Sequence, residues 1–232
     1  MPLLRVGQSL KWKSVLGQLA LIVGGVLIAL AVDSWWANRQ ERGEERAYLE
    51  QLLSDLRETE SRLENSIAGD VGMLDRVSLV LDRAFNGPLP PSDSLDLPTG
   101  YSQFRPLTGT AMALVQSGDI QLLRNDSIRF RLIAYTALIN ATETLLRHTE
   151  TLIWNSTERK FLGRVRHSRS ANVRGDVAWG TIDVAAALSD PELVSALEVQ
   201  AAASQNRISN LRRLQEPTTE LIQLLATELG RE

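Results

Sequence analysis

The sequence predicts an all-α protein, with one N-terminal transmembrane helix continuous with an elongated antiparallel helical bundle. Three observations carry this. An uncharged apolar run occupies Val15 to Val32, apolar residues recur at helical spacing through most of the remaining chain, and proline is absent between Leu3 and Pro88.

The run VLGQLALIVGGVLIALAV contains a single strongly polar side chain, Gln18, and has the length a helix needs to cross a hydrocarbon core. Trp12 precedes it and Trp35 and Trp36 follow, a separation of roughly 35 Å along a helix, which suits indoles resting at both interfaces. The expected segments are a cytoplasmic stretch over 1–14, the transmembrane helix over 15–36 and an extracytoplasmic bundle over 37–232. Arg5, Lys11 and Lys13 precede the span with no acidic residue, whereas Arg39, Arg42 and Arg46 after it are balanced by Glu41, Glu44 and Glu45. That asymmetry orients the N-terminus toward the cytoplasm and the rest outward. The competing reading is a cleaved signal peptide, with Ala29-Leu30-Ala31 as its cleavage site; the long apolar run and the Trp pair beyond it favour retention.

After the span, Leu49, Leu52, Leu53, Leu56, Leu63, Ile67, Leu74, Val77 and Leu81 carry the first helix onward to about Ala84, with Gly69 and Gly72 as points of loosening. The stretch NGPLPPSDSLDLPTG opens a breaker loop over about 86–106. A short helix at about Thr110 to Ser117 should end at Gly118, which suits a left-handed cap. Asn125 or Asp126 then caps a long pattern through Ile128, Leu132, Tyr135, Ile139, Leu145, Leu146, Ile153, Trp154 and Phe161, reaching about Arg166. An irregular segment covers about 167–188. Ser189 or Asp190 as cap, Pro191 at the first helical position and Glu192 in the first turn punctuate a last helix, which Pro217 should kink or restart before Leu221 to Leu229. No second stretch is long and apolar enough to span.

All 28 acidic residues come after the span with 22 of the 25 basic ones, giving that part a formal charge of 22 − 28 = −6. This balance argues against nucleic acid as a partner. With no cysteine in the chain there is neither a disulfide framework nor a thiol nucleophile.

Two blocks carry a resemblance. Leu27-Ile28-Ala29-Leu30, Trp35, Arg39, Arg42, Glu45, Tyr48-Leu49, Leu52 and Asp55-Leu56 resemble the opening of an uncharacterised family of bacterial single-span membrane proteins, known only as a domain of unknown function. Leu114, Ser117-Gly118, Leu122, Asn125, Leu132 and Tyr135 resemble that family's central segment. The blocks cover about a third of the chain. Ala31-Val32-Asp33-Ser34 departs from the polar pair the family more often has before its Trp, and the C-terminal half is only weakly similar. The resemblance implies the topology and the helical character, and no activity.

Enzymatic chemistry is not expected. His148 and His167 are the only histidines, and no HExxH, ExxH, GxSxG, phosphate-loop or calcium-loop pattern occurs. His148 reads as solvated or locally paired within a helix, and Glu143 and Glu150, seven apart, as surface charge. No cofactor or metal is implied.

Two patterns point to partners. Gly17, Ala20, Gly24 and Ala31 share one face of the span, and Gly25 with Ala29 forms a second small pair, which would let another span approach closely. The basic run Arg159, Lys160, Arg164, Arg166 and Arg169, with Arg174 beyond, would meet anionic headgroups if the helix carrying it returns toward the bilayer; the plainer reading is a solvated helix end. The expected partners are the lipid bilayer and either a second copy or another membrane protein. The expectation is therefore a non-enzymatic scaffold, oligomerisation or accessory module in the bacterial inner membrane. The alternative is a ligand-sensing bundle signalling through a partner, for which a buried polar cluster would speak, with Asn140, Thr144 and Arg147 as nominees; an accessory module should instead expose an apolar stripe.

Overall fold

The structure, a computed structural model, describes residues 12–86, 100–162 and 189–230. Among the described residues every regular element is helical: α1 (Trp12–Asn86), α2 (Gly109–Ser117), α3 (Asp126–Ile153), α4 (Arg159–Leu162) and α5 (Pro191–Leu229). A 3₁₀ turn at Asp119–Leu122 precedes α3, and a π turn at Trp154–Glu158 joins α3 to α4. The all-α expectation holds.

Two compact units divide the chain, Met1–Tyr48 and Leu49–Glu232. In the first, α1 presents an 18-residue window of mean hydropathy 2.0, none of it buried, and is by length and composition the one described helix able to cross a membrane. Trp35 and Trp36 sit at its far end with ring centroids 6.4 Å apart, and the Arg39 guanidinium lies 5.8 Å from the Trp35 ring.

The second unit is built on three long helical segments. Along α1 the buried positions are Leu49, Leu52, Leu56, Thr59, Leu63, Ser66, Asp70, Met73, Val77 and Val80, in alternating steps of three and four residues. Along α5 the buried positions Leu193, Leu197, Gln200, Ser204, Arg207, Leu211, Leu214, Thr218, Leu221 and Leu225 show the same alternation, with Ala196, Ala203 and Ile208 buried beside them. Such spacing keeps one stripe of each helix in the core. Leu53, Ile67, Leu74 and Leu81, expected in the stripe, flank it half-buried.

Long-range bonds fix the directions. Glu60 meets Thr219 and Asp70 meets Arg207, while Met73, Val77 and Val80 pack on Leu193, Ala196 and Leu197. Asn125 meets Glu228, Tyr135 meets Thr218 and Thr157 meets Ala196. Hence α5 runs antiparallel to both α1 and α3, and within this unit α1 and α3 run parallel to each other. The antiparallel expectation is thus corrected for one pair of helices. The chain makes the parallel arrangement by returning along α1 as an extended strap over 100–108 before α2 begins.

The caps follow their chemistry. Asn125 Oδ1 accepts from the Ser127 and Ile128 amides, and Asp190 accepts from Glu192 N–H just ahead of Pro191. Gly118, at φ +87°, closes α2 in the left-handed region. α1 ends at Asn86, close to the expected end. Two features differ from expectation: the π turn interrupts the long helix after Ile153, and α5 continues through Pro217 without a restart. The proline forfeits one backbone bond to the Arg213 carbonyl, but Leu214, Thr218 and Leu221 around it are buried and hold the helix in place. The irregular segment expected over 167–188 lies outside the described residues, as does most of the breaker loop.

Candidate functional site

The strap crosses α1 where the buried stripe turns polar. Thr59, Ser66 and Asp70 stand at positions that elsewhere hold leucine or valine, and each bonds the strap. Leu107 N–H donates to Thr59 Oγ1 at 2.9 Å, Ser66 Oγ donates to Gln103 O at 3.1 Å, and Ser102 N–H donates to Asp70 Oδ1 at 3.0 Å. Arg62 donates to Arg105 O at 3.0 Å and Thr110 Oγ1 to Asp55 Oδ2 at 2.6 Å. An extended segment cannot bond its own backbone, so these side chains satisfy its polar groups. Gly69 admits the close approach: a Cβ there would stand 3.0 Å from Ser102 Cβ and Oγ.

At the centre lies Arg207 of α5, with no exposed side-chain area. Its Nε donates to Asp70 Oδ2 at 3.0 Å, Nη1 to Glu150 Oε1 of α3 at 3.4 Å and Nη2 to the Ser102 carbonyl. The guanidinium also lies 5.1 Å from the Tyr101 ring centroid. One side chain therefore ties three helices and the strap together. Burial pushes the Asp70 carboxyl above its ordinary value, opposed by the Arg207 charge and the bond from Ser102. Burial likewise raises Glu158, and it raises Tyr101 with help from the charges of Glu150 and Glu158. Beside the cluster Gln200 Nε2 donates to Gly100 O at 2.7 Å, and its Oε1 has no hydrogen-bond partner among the described residues. Gly100 reaches this position at φ +107°, in the left-handed region.

Chemically the arrangement is a closed polar clamp. It holds no histidine or cysteine, its carboxylates bond an arginine, and among the described residues no cluster of metal-ligating side chains occurs. Glu150 is corrected from surface charge to a partner of Arg207. Asn140, Thr144 and Arg147, the nominees for a buried cluster, are all exposed: Thr144 and Arg147 bond one another on the α3 surface and Asn140 reaches Met112 Sδ. Apolar periodicity missed Asp70 and Arg207, and the signal that could have found them is an interruption: three polar residues in register within an otherwise apolar stripe.

The remaining site residues do not converge. Gly17, Gly24 and Gly25 have open space where a Cβ would stand, and Ala20, Ala29, Trp35 and Trp36 are exposed. Trp12 opens α1, and its side chain lies outside the described residues. Arg159 and Lys160 are exposed on α4, while Arg164, Arg166 and Arg169 lie outside the described residues. The geometric premise for their lipid contact is reversed: α3 runs parallel to α1, so Arg159 and Lys160 lie at the end of the unit marked by Val77 and Ala196, opposite Leu49.

No family model matches the chain, and no curated protein or solved structure matches it significantly.

Proposed function

We propose that this chain is a single-span protein of the bacterial inner membrane, N-terminus in the cytoplasm and C-terminus in the periplasm, whose helical domain acts as a non-enzymatic scaffold, oligomerisation or accessory module. The observation that carries the proposal is the apolar window of α1, none of which is buried although the same helix enters a packed core from Leu49 onward. Lipid is the medium in which such a surface is stable. The charge asymmetry about Val15 to Val32, the Trp pair and the resemblance of the two sequence blocks support the same reading.

A second reading, a ligand-sensing bundle, draws support from the buried Asp70–Arg207–Glu150 cluster and the orphaned Gln200 Oε1. The clamp is already filled by the chain's own strap, which weighs toward a structural role.

A reporter active only outside the cytoplasm, fused after Glu232, should be active, and one fused to Met1 silent. The reverse pattern overturns the orientation. Intact mass of the purified chain should include residues 1–31; their loss would show cleavage after Ala31. Purification in mild detergent should retain a protein partner or a second copy, and a bare monomer would refute the scaffold reading.

A further inference from the structure

Among the described residues eight large apolar side chains beyond the span are exposed, and five belong to α3 and the turn that ends it: Phe130, Ile133, Leu145, Leu152 and Trp154. At about 100° per residue, Phe130, Ala134, Ala137, Ala141, Leu145, His148 and Leu152 fall within an arc of about 80°. The core residues Leu132, Ile139 and Leu146 occupy the opposite side. α3 thus has two apolar stripes, and the bundle covers one.

We infer that the outer stripe of α3 is the surface on which a second copy of this chain docks; this rests on the scaffold reading above and names its partner. The stripe is self-matching. Large side chains stand toward both ends and Ala134, Ala137 and Ala141 in the middle, so a two-fold axis beside Ala137 and Ala141 sets small against small and lets the helices approach to about 8 Å. The basic flank does not oppose this, because Arg129 is paired with Asp126 and Arg131 with Glu220 inside the chain. Phe130, Leu145 and Leu152 on the stripe are 77%, 47% and 44% exposed, and Ile133 beside it 48%. With large side chains taken at about 150–250 Å² each, the four present roughly 400 Å² of apolar surface. That is the size of an ordinary monomer's largest patch and about half of what one partner contributes to a stable dimer, the alanines and flanking residues adding to it. Copies held in one membrane meet at raised effective concentration, which offsets a modest contact area.

The chain has no cysteine, so single cysteines report proximity against a clean background. Membranes holding the full chain with Ala141→Cys, treated with a short bifunctional maleimide, should give a species of twice the mass. Ser209→Cys, exposed on α5, should not. Adding Phe130→Glu should lower the yield about tenfold, as loss of a large anchoring side chain does, with an unchanged helical melting curve, since Phe130 is already exposed in the monomer. Equal cross-linking at 141 and 209, or a yield indifferent to Phe130→Glu, overturns the proposal. A chain that is dimeric in detergent without cross-linking at 141 rejects this surface and leaves the scaffold reading standing. Cross-linking at 141 in a chain recovered from the soluble fraction supports the surface and rejects the membrane reading instead.

Discussion

Removing the charge from Arg207 should unlock the bundle, and the cost can be worked from its surroundings. Arg207→Met keeps most of the side-chain volume but leaves Asp70, fully buried, with only the Ser102 amide as donor. Breaking one partner out of a buried pair costs about 3–5 kcal/mol. The strap loses its bond from Arg207 to the Ser102 carbonyl as well. Asp70→Asn should cost less, about 1–3 kcal/mol, because Arg207 keeps Glu150 and the Ser102 carbonyl. The double variant should be less damaged than the sum of the two by about 0.5–3 kcal/mol, the range for residues in direct contact. Acid should soften the single change. The Asp70 carboxyl already sits above 3.8 in the folded chain, so its contribution is fully present below that value and lost as pH rises through the folded pKa. Without Arg207 that pKa moves further up, and Arg207→Met should gain on the parent as pH falls. Denaturant unfolding of the full chain in detergent, followed by helical circular dichroism at several pH values, measures all of this. An Arg207→Met variant within about 0.5 kcal/mol of the parent at neutral pH would refute the reasoning, since that is the effect of an ordinary surface change.

Leu132→Asp, at a position with no exposure, should destabilise the bundle by several kcal/mol, whereas Arg131→Asp, which breaks only the half-exposed pair with Glu220, should cost about 1 kcal/mol or less; thermal melts of the two variants make the comparison. Thr218 Oγ1 donates to the Leu214 carbonyl, so the Tyr135 hydroxyl is left as donor to Thr218, and burial pushes it up to about 12 from 10.0. Its contribution is fully present below pH 10 and lost as pH rises through about 12, and Tyr135→Phe should flatten stability over that window. Gly118→Ala should cost about 1 kcal/mol despite open space around it, because φ is +87°, and an unchanged melting temperature would contradict the left-handed cap.

Local chemistry was legible to within a residue, the caps having been narrowed to Asn125 or Asp126 and to Ser189 or Asp190. Asn125, Asp190, Pro191 and Gly118 mark helix ends in the sequence because a cap acts on backbone groups two or three residues away. The direction of α3 was not legible, since periodicity is the same for a helix running either way. It depends on the strap, whose partners lie 32 to 48 residues back along α1. The clamp was hidden for a related reason: Asp70 and Arg207 are 137 residues apart, and each alone looks like a polar residue on a charged helix. Of the two expectations for Pro217, the restart is overturned, because packing around Leu214, Thr218 and Leu221 holds the helix through the lost backbone bond.

The π turn after Ile153 has a consequence for how the chain tolerates change in length. Buried residues of α3 alternate in steps of three and four up to Ile153, which would next call for Ser156; the turn inserts one residue and Thr157 takes the place, donating to Ala196 O at 3.0 Å. The helix thus carries a one-residue shift of phase. Deleting Asn155 should therefore remove the extra residue together with its turn and leave Thr157 and every later side chain facing α5 as before, whereas straightening the turn at full length would rotate them all by about 100°.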